Sequence, residues 1–198
     1  MKKLSLLFAL CVLLSVAAHA QEYKKFKVGL GAGYAVPSGK GAKGGILAYL
    51  EPSYKLQDQI QLGLRLEWAA LVGGFSEDLG SSVSLKVSST TSYTLNGQYY
   101  FNNNGFRPFV GAGFGMYGIK GADLTVTSDP DEPNGGTITM ADETKFGFYP
   151  RIGFDAGHFT LSLDYNIVGA TKSEGSDIKM KNSYIGIRFG GFFGGGKK

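Results

Sequence analysis

From Phe26 onward the apolar residues of this chain recur at every second position and never at helical spacing, a pattern that predicts strands throughout. In the first strand Phe26, Val28, Leu30, Ala32, Tyr34 and Val36 share one face, while Lys27, Gly29, Gly31 and Gly33 share the other. In the third, Ile60, Leu62, Leu64, Leu66, Trp68, Ala70 and Val72 oppose Gln61, Gly63, Arg65, Glu67 and Ala69. The same alternation over 46–56, 93–101, 110–117, 146–155, 159–167 and 184–190 brings the set to eight strands. Each approaches the roughly 9 to 11 residues that cross a bilayer when tilted.

The connections alternate in length. Short ones fall at 57–59, 102–106 and 157–158, and longer polar ones near 38–43, 73–82, 118–144 and 170–177. That rhythm describes an up-and-down antiparallel meander, and eight strands are enough to close it into a transmembrane β-barrel.

The two faces differ too much to be interchangeable. One is bulky, aromatic and uncharged, with Leu62, Leu64, Leu66, Trp68, Phe114, Phe148, Phe154, Leu161, Leu163 and Ile187 as its clearest members. These are expected to face lipid, where a midplane Arg or Lys costs about 2 to 4 kcal/mol. The other face is glycine, hydroxyl, amide and charge, the only set that fits inside so narrow a barrel. Glu51, Arg65, Glu67, Arg151, Asp155, Asp164 and Arg188 are expected there as an interior ionic network. Pairing Leu56 with Ile60 sets Glu51 opposite Arg65, and a two-residue turn at Gly157-His158 sets Arg151 opposite Asp164, both within cross-strand reach. Arg188 and Lys27 are then available to Glu67 and Asp155. A lumen filled in this way leaves little room for solute. The inverted arrangement, with the apolar face inward, would instead describe a soluble barrel such as a lipocalin.

Composition narrows the class further. Thirty-one glycines in 198 residues and 43% hydrophobic content exclude a disordered chain and an ordinary helical one, and a formal charge of +4 is too thinly spread to suggest nucleic acid. Lys2 and Lys3, the apolar stretch 4–18 and Ala18-His19-Ala20 have the three-part layout of a secretory signal peptide, so 1–20 is read as a cleaved leader and 21–198 as one barrel domain. Cys11, the only cysteine, lies inside the leader, which leaves no disulfide or cysteine-ligated metal in the mature chain. A lipoprotein would need cleavage before Cys11, where Leu10 is too large.

With the leader, the segments FKVGLGAGYAVP and RPFVGAGFGMYG and the closing NSYIGIRFGGFF, the sequence resembles the small outer-membrane β-barrel family. Its relatives are the eight-stranded OmpA/OmpX-like and OmpW-like proteins and the porin-family barrel domain of Bacteroidetes. The resemblance implies residence in the outer membrane of a Gram-negative cell, insertion by the barrel assembly machinery, short turns in the periplasm and long loops outside. Two departures stand out. Phe193 is followed by Gly-Gly-Gly-Lys-Lys rather than ending the chain, and Pro150 lies inside the sixth strand, where a bulge or kink is expected.

No group offers catalytic chemistry. The mature chain has one histidine, His158, in a short turn. Asp129, Asp131, Glu132 and Asn134 depart from the spacing of a calcium loop, so no metal or other cofactor is expected. The glycine runs at Gly29 and Gly111 lie within strands and open no helix, which excludes a phosphate cradle; they are read as room for inward Tyr rings. Tyr34, Trp68, Tyr93 and Tyr165 read as interfacial girdle residues. The expected protein is therefore a non-enzymatic, monomeric barrel in contact with outer-membrane lipid, its role structural or carried by its surface loops. The alternative is a narrow conduit for small ions, or for hydrophobic solutes passing a gap in the wall near Pro150.

Overall fold

A computed structural model describes residues 23–38, 42–73, 86–120, 124–126, 136–138, 142–172, 179–180 and 182–196. The leader, the calcium-like motif and most of the long loops lie outside the described residues. The chain forms β1 (Phe26–Pro37), β2 (Ala42–Lys55), β3 (Ile60–Gly73), β4 (Lys86–Tyr100), β5 (Phe106–Lys120), β6 (Leu124–Val126), β7 (Gly136–Ile138), β8 (Glu143–Ala156), β9 (Phe159–Val168), β10 (Thr171–Lys172), β11 (Lys179–Met180) and β12 (Tyr184–Gly194). Eight of these close an antiparallel barrel in the order β1-β12-β9-β8-β5-β4-β3-β2, while β6 pairs with β7 and β10 with β11 as separate short hairpins. Among the described residues no helix is long and apolar enough to cross a membrane.

Closure carries a stagger. Following opposed residues round the wall from Lys27 through Ser53, Gly63, Asn96, Gly113, Tyr149, Asn166 and Tyr184 ends at Pro37, a displacement of ten residues (37 − 27). For eight strands about 4.7 Å apart, that stagger corresponds to a tilt of about 40° from the barrel axis. Closure also leaves the barrel wall without an unpaired strand edge among the described residues, as lipid requires.

Among the described residues, burial alternates along the strands of the barrel. In β5 it reads exposed at Phe106, Val110, Ala112, Phe114 and Met116, and buried at Arg107, Phe109, Gly113 and Tyr117. The large apolar residues are on the outside, with Phe26, Ile46, Tyr93, Phe114, Phe146 and Phe193 each more than half exposed, so the soluble-barrel arrangement is not adopted.

Three local features depart from the sequence reading. No bulge forms at Pro150: it stands opposite Ala112 in an unbroken register with β5, and the β8–β9 register is the same at Gly147↔Val168 as at Arg151↔Asp164. The missing N–H interrupts that second ladder over two residues without displacing it, because closure fixes β8 from both sides. The register shift instead lies between Lys43 and Gly45 of β2, and Gly44 sits against the Tyr34 ring. Finally, β4 begins at Lys86 rather than near Tyr93. Its first half is Ser- and Thr-rich and lacks apolar alternation, but pairing with Ala69–Gly73 holds it as strand.

Candidate functional site

The alternating strands place two surfaces back to back, and the inner one carries the polar chemistry. In mid-lumen Arg65, which is fully buried, donates from Nη1 to Asp164 Oδ2 at 3.0 Å and from Nη2 to Asn166 Oδ1 at 3.3 Å. Its Nε lies 3.7 Å from Glu67 Oε2, and its guanidinium stacks 3.8 Å from the centre of the Tyr149 ring. Arg188 donates from Nε to Glu67 Oε2 at 2.7 Å and also pairs with Asp164 Oδ1. Tyr184 closes the cluster by donating to Glu67 Oε1 at 2.6 Å. Two arginines and two carboxylates from β3, β9 and β12 are thus held in one charge-balanced group, each carboxylate touching both cations.

Beside it Arg151 of β8 donates to both oxygens of Glu51 at 2.8 Å and to Ser162 Oγ at 3.2 Å, while Gln98 donates to Glu51 Oε1 at 2.9 Å. Nearer the short turns Lys27 donates to Asp155 Oδ2 at 2.6 Å, and Tyr100 donates to the same oxygen at 2.9 Å. The structure therefore gathers Arg65, Glu67, Asp164 and Arg188 into one cluster, Glu51 and Arg151 into a second, and Asp155 with Lys27 into a third.

The turns set the register but not the partners. Arg151 is opposed to Asp164, and Tyr49 to Glu67, as the turn lengths dictate. Yet Arg151 reaches across the lumen to Glu51, and Asp164 takes Arg65 and Arg188 instead. In so narrow a cylinder all inward side chains converge on the axis, so a long guanidinium meets a strand on the far side as readily as its neighbour.

Aromatic rings fill the remaining space by lying on glycine. The Tyr149 ring covers Gly113, where a methyl group would overlap it. Towards the long loops the interior turns apolar, with Ala35, Leu47, Tyr49, Ala69, Tyr117, Val168 and Tyr184 in one buried cluster. A cavity lined by Lys27, Gly29, Tyr49, Glu51, Gln98, Arg151 and Thr160 offers about 10 Å³, near the size of a single water.

On the outer wall Leu62, Leu64, Trp68, Phe114, Phe148, Leu163 and Ile187 are exposed, and Leu66, Phe154 and Leu161 are half-buried on the same face. Phe154 is covered by Phe106, their ring centres 4.8 Å apart. Tyr34, Trp68, Tyr93 and Tyr165 also point outward. His158 lies in the exposed turn between β8 and β9. Several interior residues have no place in the sequence reading, among them Tyr23, Thr90, Ser92, Arg107, Phe109, Val168 and Phe192. Phe109 and then Arg107 continue the inward alternation of β5 by one and two steps past the segment used, and Phe192 continues that of β12 by one, which is the signal that finds them. Tyr23 precedes the pattern, and no periodicity points to it.

Residues 6–193 match the family model described as outer membrane protein beta-barrel domain. The chain belongs to that family. It is accordingly a protein of the outer membrane, and the uncharged outer wall is the surface such a location demands. Among solved structures it is similar to the outer membrane protein OprG from Pseudomonas aeruginosa, at 15% identity over 88% of this chain and 98% of that one, with a TM-score of 0.51. It is also similar to Neisserial surface protein A, at 14% identity over 84% of this chain and 94% of that one, again with a TM-score of 0.51. At such identities the likeness concerns the fold of the family barrel. No curated protein matches the sequence.

Proposed function

We propose that this outer-membrane barrel is a non-enzymatic, monomeric scaffold with a plugged polar lumen, whose work is structural or is done by the loops it displays. The observation that carries the reading is the ionic cluster of Arg65, Glu67, Asp164 and Arg188, which joins three strands through the middle of the lumen with every one of the four side chains almost fully buried. An ion crossing here would have to part guanidinium from carboxylate in a low-dielectric interior, which is costly. The apolar cluster at the loop end and the single-water cavity support the same reading. Leu62, Leu64, Leu66, Trp68, Phe114, Phe148, Phe154, Leu161, Leu163 and Ile187 then contact acyl chains, so the partners of the wall are outer-membrane lipids and, during insertion, the barrel assembly machinery. No cofactor enters this reading.

Single-channel recording in planar bilayers tests it. The intact barrel is expected to stay electrically silent. Reproducible openings that change on Arg151→Gln or Asp164→Asn would replace the scaffold with the narrow conduit.

A further inference from the structure

At the short-turn mouth, segments that belong to no barrel ladder fold over the lumen. Tyr23, ahead of β1, is 5% exposed. Its backbone N–H donates to Asp58 Oδ1 at 3.2 Å in the β2–β3 turn, and its hydroxyl donates to the Asn103 carbonyl at 2.8 Å in the β4–β5 turn. Beneath it the Arg107 guanidinium lies between two rings, 4.0 Å from the centre of Tyr23 and 4.2 Å from that of Tyr100, while Lys55 Nζ sits 4.4 Å from the centre of Tyr23. From the adjoining strand the chain leaving β12 turns back through Gly194 and Gly195, at φ 71° and 62°. The Gly195 carbonyl accepts from Lys55 Nζ at 2.5 Å, and the Gly196 carbonyl accepts from the Lys24 N–H at 2.9 Å. A side chain at 195 would begin 2.9 Å from Lys27 Cβ.

We infer that Tyr23 and the glycine turn at Gly195-Gly196 form a two-part latch over the short-turn mouth, clasped from below by Lys55 and Arg107. The barrel itself closes through the β1–β12 ladder, which needs neither part, so covering the mouth is separable from closing the wall. The Gly-Gly-Gly extension after Phe193 thereby has a use: only residues free to adopt positive φ without a side chain turn inward this tightly against Lys27. The latch covers a cation-rich space. Lys27, Lys55 and Arg107 face it, against Asp155, which holds Lys27, and Asp58 on the rim.

Thiol accessibility tests the latch. Gln61, 1% exposed and opposite Lys55, takes a reporter as Gln61→Cys in a Cys11→Ala chain, probed in the folded, detergent-held barrel with the negatively charged reagent sulfonatoethyl methanethiosulfonate. The latched barrel is expected to react slowly, and Tyr23→Ala or Gly195→Val to react at least about tenfold faster, as local opening of the cover governs access. Tyr23→Phe keeps the ring over Lys55 and Arg107 and loses only the hydroxyl's bonds to the Asn103 and Asn104 carbonyls, so a smaller change is expected. Ala170→Cys, exposed at the long-loop end, reports whether the reagent itself behaves alike in all backgrounds, and heat-modifiable gel mobility reports the fold. Equal Gln61→Cys rates with and without the latch substitutions, a fast rate in the unaltered latch, or loss of the folded band in both Tyr23→Ala and Gly195→Val would each overturn the inference. None of these outcomes bears on conductance through the mid-lumen cluster.

Discussion

The two sides of the barrel wall are built from adjacent residues of the same strands, yet they are held to different standards. On the outside, Leu62, Leu64 and Leu66 touch neighbours of similar character, and any apolar side chain of about the right size would serve. On the inside, Gln61, Gly63, Arg65 and Glu67 each meet a defined partner: Arg65 has a carboxylate, an amide and a ring, and Gly63 leaves the space that Asn96 and Ser53 occupy. The solvent explains the difference. Hydrocarbon rewards only the absence of charge, whereas a buried polar interior penalises every donor and acceptor left without a partner. Specificity therefore resides in the lumen and tolerance in the wall.

Four changes probe that contrast, beginning with the largest effect. Arg65→Ala leaves Asp164 and Glu67 short of a buried cation and is expected to cost about 3 to 5 kcal/mol, read as a lower denaturation midpoint of the folded band in heat-modifiable gel electrophoresis. One residue away, Leu64→Arg sets a charge in the outer belt and should cost about 2 to 4 kcal/mol in lipid bilayers; an equal loss in detergent and in bilayers would show that lipid is not what this face meets. Next comes Gly113→Ala, which forces a methyl group into the Tyr149 ring and is expected to cost about 1 to 3 kcal/mol through overpacking, with Phe114→Leu on the adjacent outward position nearly silent in the same urea titration. The smallest effect belongs to Lys145→Ala. Its 2.8 Å pair with Glu143 is more than a quarter exposed on both sides, and under about 1 kcal/mol should be lost.

Much of this architecture is legible in the residues. Period-two alternation assigns each side chain to a face, and the brevity of the Gly157-His158 turn fixes Arg151 opposite Asp164. The cross-lumen partners are not legible in that way. Glu51 takes its cation from β8, across the barrel, because partner choice depends on how eight tilted strands aim their side chains at one axis. Pro150 teaches a related lesson. Alone it signals a break, but strands paired on both sides hold its register. Gly44 signals nothing in sequence, yet carries the irregularity because the Tyr34 ring lies over it.

The sequence by itself determined that this chain is a β-meander with a greasy face and an ionic one, that Cys11 is its only cysteine, and on which face of its strand each residue of the alternating segments lies. Those are consequences of the two-residue period of a strand and of the cost of charge in hydrocarbon, both local. Only the tertiary structure decided which arginine meets which carboxylate and how Tyr23 and the glycine turn come to lie across the mouth. Such contacts join residues far apart in sequence, 128 positions for Lys27 and Asp155 and 140 for Lys55 and Gly195, and exist only once closure and its ten-residue stagger (37 − 27) bring them within reach.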